Sequence, residues 1–175
     1  SDLAIQHGRL LMELPRAREN AEREARARRH EKMACHEITL TDVYDILRET
    51  YALDETTARE IMHEELNLEQ FAVYPNPVMQ SVYRYALGTG KPVVLCSDMY
   101  LSQADISTML DRAGYPPPHT LLVSGELKHS KHAGSMFDLL SNRYDVPTDR
   151  IAHFGDNRHA DFNVPRKKGI QAHHF

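Results

Sequence analysis

The sequence predicts an α/β fold in which a helical first half precedes a parallel sheet. Up to about Tyr74, apolar residues recur at helical spacing inside charged stretches. After Lys91-Pro92, four short apolar runs alternate with amphipathic helical segments. The runs lack strong polar alternation, so they suit strands buried on both faces and joined by right-handed helical crossovers. A chain of 175 residues with 41% hydrophobic and 26% charged residues can build one core with a small appendage. The expected division is a helical region over residues 1–74 and a sheet domain over 75–175.

Each element has a local reason. The stretch RARENAEREARARRHEK (16–32) is rich in Ala, Arg and Glu, strong helix formers whose charges pair three and four residues apart. Thr41-Asp42 stands where an N-cap would precede VYDILRETYAL. Asp54 or Thr56 would cap ETTAREIMHEELNLEQF, in which Ala58, Ile61, Met62 and Leu66 form an apolar stripe. Past Pro75 and Pro77, Val78, Val82, Tyr85 and Ala86 share a helical face, and Gly88 or Gly90 supplies a stop. The strand runs are PVVLC (92–96), TLLVS (120–124), IAHF (151–154) and GIQAHH (169–174). Between them lie SQADISTMLDRAGY, AGSMFDLLSNRY and a shorter helical piece, HADFNVPRKKG.

Composition excludes several functions. The net charge is −4, from 21 Lys+Arg against 25 Asp+Glu, which does not suit nucleic-acid binding. Helix 16–32 is basic, but Glu19, Glu22, Glu24 and Glu31 interleave its charge into a solvated face. No apolar run approaches the roughly 20 residues of a membrane span. Cys35 and Cys96 form neither a disulfide framework nor a Cys-rich metal site, which fits a reducing cytoplasm. The opening SDLAIQHG has neither an initiator Met nor a leader, so the chain reads as a fragment of a longer protein.

In open parallel sheets, sites form beyond the carboxyl ends of the strands. There stand Ser97-Asp98-Met99-Tyr100, the loop GELKHSKHAG, and Gly155-Asp156-Asn157 followed by Asp161. A hydroxyl, a lysine and two carboxylates at one edge suit phosphate chemistry: Ser97 donates to phosphoryl oxygens, Lys131 neutralises them, and Asp156 and Asp161 hold Mg²⁺. Lys128 is the rival to Lys131. His129, His132, His173 and His174 read as exposed loop residues, because no carboxylate or Cys pattern suited to zinc accompanies them.

The strings VVLCSDMYLS, SGELKHSKHAGSMFDLL and IAHFGDNRHADFNVPRKKGIQAH, in that order, resemble motifs two to four of the haloacid dehalogenase (HAD) superfamily. Within it they resemble the branch of hydrolases often fused to bacterial glycosyltransferases; Arg18, Ala21 and Glu22 match the R-x-x-A-E pattern of that branch's helical cap. The resemblance implies a Rossmann-like core and hydrolysis of a small phosphorylated metabolite, such as a sugar phosphate, through an aspartyl-phosphate. It makes Ser97 and Asp98 phosphate-binding, Lys131 the catalytic cation, Asp156 the Mg²⁺ ligand, and Asp161 a metal-supporting acid. The family's first motif, a strand ending Asp-x-Asp, has no counterpart here, so the chain is expected to lack the first strand and to be inactive alone. That strand belongs between those carrying Ser97 and Asp156. Either residues 2–14 should fill its place or the two flanking strands should pair directly. Two other readings exist: a non-catalytic HAD-like module that binds a phospholigand or scaffolds a glycosyltransferase, and a receiver-like or nucleotide-binding α/β domain, which would not require the Lys131 loop.

Overall fold

Small side chains one turn apart decide how the first helix packs. A computed structural model describes the backbone of residues 2–33 and 36–175 and the side chains of 13–32 and 36–175; Cys35 lies outside the described residues. Helix α1 (Asp2–Met33) carries Ala17, Ala21 and Ala25 on one buried stripe, against which α2 (Leu40–Tyr51) packs. The helix is longer than the stretch 16–32 implied and continues through Pro15, which forgoes one intrahelical bond.

Thr39, rather than Thr41, starts α2. Its hydroxyl accepts the Asp42 N–H (3.2 Å) while the Asp42 carboxylate accepts the Thr39 N–H (2.7 Å), so Asp42 is the third helical residue of a capping box. Asp54 caps α3 (Glu55–Ala72), accepting the Thr57 N–H at 2.9 Å. The three helices are tied at Glu65, which accepts both Arg18 Nε (2.9 and 3.0 Å) and the Tyr44 hydroxyl (2.7 Å). Arg18 also reaches Glu22 (3.0 Å) and lies over the Tyr100 ring, which gives the R-x-x-A-E residues a packing role.

Asn76 caps α4 (Pro77–Gly88), whose Pro77 stands in the first turn. The rest alternates: β1 (Val94–Ser97), α5 (Gln103–Arg112), β2 (Thr120–Val123), α6 (Ser124–Leu127), α7 (Ser135–Tyr144), a 3-10 turn, β3 (Ala152–Gly155), a π-helical turn (Arg158–Asn163), α8 (Val164–Lys167) and β4 (Gln171–His174). β1 pairs in parallel with β2, Val94 opposite Thr120, and β3 in parallel with β4, Ala152 opposite Gln171. The chain is thus mixed α/β and helix-rich.

The strands do not join into one sheet. Among the described residues they form two separate two-stranded pairs, so direct pairing of the Ser97 and Asp156 strands does not occur. Residues 2–14 do not substitute either: from Asp2 onward they are helical, and a helix has no free ladder to offer a strand edge.

One apolar cluster crosses the expected boundary at residue 74, joining Ile38, Val43 and Leu47 to Leu101, Met109 and Val123. Backbone bonds seal the junction: Leu40 N–H donates to Tyr100 C=O (2.9 Å) and Gly125 N–H to Met99 C=O (3.1 Å). Gly125 is required there, because a Cβ would strike the carbonyls of both Ile38 and Met99. No helix among the described residues is long and apolar enough to cross a membrane.

Candidate functional site

Both strand pairs end at one cavity. Its volume is about 510 Å³, and Ser97, Asp98, Lys131, Asp156 and Asp161 all line it. Ser97 is the last residue of β1, and Asp156 follows the last residue of β3. Neither the Ser97 hydroxyl nor the Asp156 carboxylate has a hydrogen-bond or ion-pair partner among the described residues, and the Asp156 residue is exposed.

Asp98 is turned to a different use. Its two carboxylate oxygens accept the backbone N–H groups of Lys131 (2.8 Å) and His132 (2.9 Å), so it fastens the Lys131 loop to the end of β1. Two charge-assisted bonds of this kind fix a loop more firmly than neutral ones. The loop is also closed from within: Ala133 N–H donates to Ser130 Oγ, Ser130 N–H to Ser135 Oγ, and Gly134 takes φ +83° at the entry to α7. Lys128, by contrast, turns away and donates from Nζ to the carbonyls of Glu37 and Gly125, holding the segment before α2. Of the two lysines, Lys131 is the one in the cavity.

Asp161 is the most constrained side chain of the site, only 2% exposed. Lys131 Nζ donates to its Oδ1 (2.6 Å), as does His153 Nε2 (2.9 Å), and the Asn157 N–H donates to Oδ2 (3.1 Å). Burial alone would raise its pKa. The His153 and Lys131 hydrogen bonds, the ammonium charge and the Asn157 N–H outweigh burial and hold the carboxyl well below the usual range. Gly155 makes the arrangement possible, since a Cβ there would occupy the space of the Asp161 carboxylate. His153 is held in turn by Phe137, whose ring meets it edge-on at 5.1 Å. Burial also pushes the Cys96 thiol up to about 12, despite the nearby Lys131 charge, which disfavours its thiolate at neutral pH.

Sequence reasoning missed His153. Its signal was a histidine inside a run read as a buried strand, where a polar ring requires a partner. Arg26 and His36, from the helical half, also line the cavity, with Arg26 donating to the His36 carbonyl (3.0 Å).

The magnesium that the motifs imply suits one of its two expected ligands. Asp156 has uncommitted oxygens, and Mg²⁺ often takes one or two carboxylates with water and phosphate oxygens completing its shell. Asp161 has both oxygens engaged. Among the described residues, no group of three or more His, Cys, Asp or Glu is placed to hold a metal. No protein-family model and no curated protein matches the chain.

Proposed function

We propose that the cavity binds the phosphoryl group of a small phosphorylated metabolite and is part of a HAD-like phosphohydrolase site in a cytoplasmic protein. The observation that carries this reading is the unpartnered Ser97 hydroxyl in the same cavity as the Lys131 ammonium, at the carboxyl end of one strand from each of the two parallel pairs. On this reading the strand pairs are halves of a Rossmann-like sheet, and α1 to α3 are its cap, which closes over the site and selects the leaving group.

Ser97 donates to one phosphoryl oxygen and Lys131 to another. Asp161, itself fixed by His153, holds the Lys131 ammonium at the cavity, so little reorganisation is needed when the ligand arrives. Asp98 keeps the loop in register. Asp156 would hold Mg²⁺, which when bound screens the charge of the transferring phosphoryl group. The attacking carboxylate of such a hydrolase would come from an aspartate on the strand that separates β1 from β3, carried by a longer parent. Asp98 and Asp161 cannot serve, because their oxygens are already committed.

That commitment also favours a second reading, a non-catalytic phospholigand-binding or scaffolding module attached to a glycosyltransferase. The reading frame upstream separates the two: an apolar strand ending Asp-x-Asp supports the enzyme, and a start codon close to Ser1 supports the module. Calorimetric titration with inorganic phosphate tests the shared claim. Hydrogen bonds to charged groups contribute about 1.5–3 kcal/mol, so Ser97→Ala and Lys131→Ala should each weaken binding roughly tenfold to a hundredfold. Affinity unchanged in both variants would sink the phosphate reading.

A further inference from the structure

Ser97 and Lys131 account for only part of the cavity's lining. Arg26 on α1, and His36 and Glu37 in the segment before α2, line the same space, so the helical half brings a guanidinium and an imidazole to it. Ala21 and Ala25 are buried against α2, whereas Arg26, the next residue along α1, keeps a side chain 35% exposed.

Both donors are held in place. Arg26 Nε (3.1 Å) and Nη2 (2.8 Å) donate to one oxygen of Glu22, and Nη1 donates to the His36 carbonyl (3.0 Å). A guanidinium has five N–H donors, and three are used among the described residues, so two remain for a ligand. Glu22 gives its other oxygen to Arg18, so one carboxylate serves two guanidinium groups. The His36 ring stacks on that of His30, 4.1 Å away and within 7° of parallel, while its ring nitrogens have no hydrogen bond among the described residues.

The acids around the cavity do not cancel this. Asp98 is committed to two backbone N–H groups and Asp161 to Lys131, and the Lys128 ammonium sits against the Glu37 carbonyl at 3.2 Å. Asp156 is where Mg²⁺ would add positive charge. No Phe, Tyr or Leu lines the cavity to stack a nucleobase or cover a hydrocarbon chain, and about 510 Å³ is more than one phosphoryl group fills.

We infer that the ligand is a short, polar phosphorylated acid, whose second anionic group is bound by Arg26 and His36 while Ser97 and Lys131 hold the phosphoryl group. Two guanidinium N–H groups suit the two oxygens of a carboxylate, and the imidazole supplies a further donor. A phosphorylated neutral alcohol offers these donors no charge. The assignment rests on the phosphate reading of Ser97 and Lys131 and adds to it the class of ligand.

Calorimetric titration of the whole chain with 3-phosphoglycerate and with glycerol 3-phosphate, at one fixed Mg²⁺ concentration, tests it. The two probes differ only in a carboxylate against a hydroxymethyl group, so their affinity ratio isolates the second anion. The ratio should favour 3-phosphoglycerate about tenfold and fall toward one in Arg26→Gln. Because it is a ratio within each protein, a general loss of stability cancels. Should Arg26→Gln fail to fold for want of its bonds to Glu22 and the His36 carbonyl, His36→Gln, at an exposed side chain, should still lower the ratio about threefold. Inorganic phosphate, titrated in parallel, separates the two claims. Phosphate binding with a ratio under about twofold overturns the second-anion site and leaves the phosphate reading standing, as does a preference that neither variant changes. Absence of phosphate binding removes that reading, and this assignment with it.

Discussion

Replacing Asp161 by Asn keeps the shape of the side chain, removes its charge and leaves two donors without their anion. Lys131 loses the carboxylate 2.6 Å from its ammonium, and the amide nitrogen confronts either Lys131 and His153 or the Asn157 N–H, donor against donor. Breaking a buried pair by removing one partner costs about 3–5 kcal/mol, and Lys131, 13% exposed at the cavity, recovers part of that from water. The expected loss is therefore about 3 kcal/mol, which at roughly 2–4 °C per kcal/mol for a chain of this size lowers Tm by about 6–12 °C. Urea and thermal denaturation at pH 7 measure it. With Lys131→Met the double variant should lose less than the sum of the singles by about 1–3 kcal/mol. The acid limb adds a sign. The folded carboxyl is held below its unfolded value, so it contributes stability that is fully present above about pH 4 and is lost as pH falls further. Asp161→Asn should flatten that part of the profile. A loss under about 0.5 kcal/mol, as for an ordinary surface change, or strict additivity with Lys131→Met, would show that the buried pair does not hold the site together.

Gly155→Ala drives a methyl group into the Asp161 carboxylate and should cost about 3 kcal/mol in urea denaturation, non-additively with Asp161→Asn; a neutral effect would mean the loop yields freely. Arg18→Ala unties α1 from α3 and Tyr100 and should cost about 3 kcal/mol, with Arg18→Lys recovering only part because one ammonium does not replace both the Nε bonds to Glu65 and the Nη1 bond to Glu22 together with the stacking on Tyr100; full rescue by Lys would contradict that two-carboxylate role. Cys96, whose thiol is pushed up by burial, should react with iodoacetamide at pH 8 more slowly than a free cysteine, read by peptide mapping; ordinary reactivity would show that burial does not suppress its thiolate. The isolated chain should not hydrolyse p-nitrophenyl phosphate with Mg²⁺, and robust turnover would place the attacking carboxylate among residues 1–175.

Elements set by local chemistry were legible in the sequence, and arrangements set by side-chain competition were not. The helix after Asp54 follows from its cap, the helix that starts at Pro77 from its apolar spacing, and all four strands from apolar runs, with strand limits shifted by one or two residues. The α2 cap was misplaced because Thr39 and Thr41 both precede Asp42, and only the reciprocal bond from Asp42 back to Thr39 decides between them. Residue order along the strand ends foretold that Ser97, Lys131, Asp156 and Asp161 would meet. It could not foretell that Asp98 spends both oxygens on backbone N–H groups, or that Asp161 binds Lys131 and His153, since the first and the Lys131 bond depend on loops about thirty residues apart folding onto one another. The split sheet was hidden for a similar reason. Apolar runs specify strands, but their neighbours are a property of the whole chain.

A phosphoryl group held between Ser97 and Lys131 is the feature on which the proposed function stands or falls. Backbone amide shifts followed during titration with inorganic phosphate report on it residue by residue. The largest changes should fall at Ser97, Asp98, Lys131 and His132, saturate together and vanish in Lys131→Ala. Changes confined to the arginine-rich face of α1, or none at those four residues at saturation, would rule the phosphate site out.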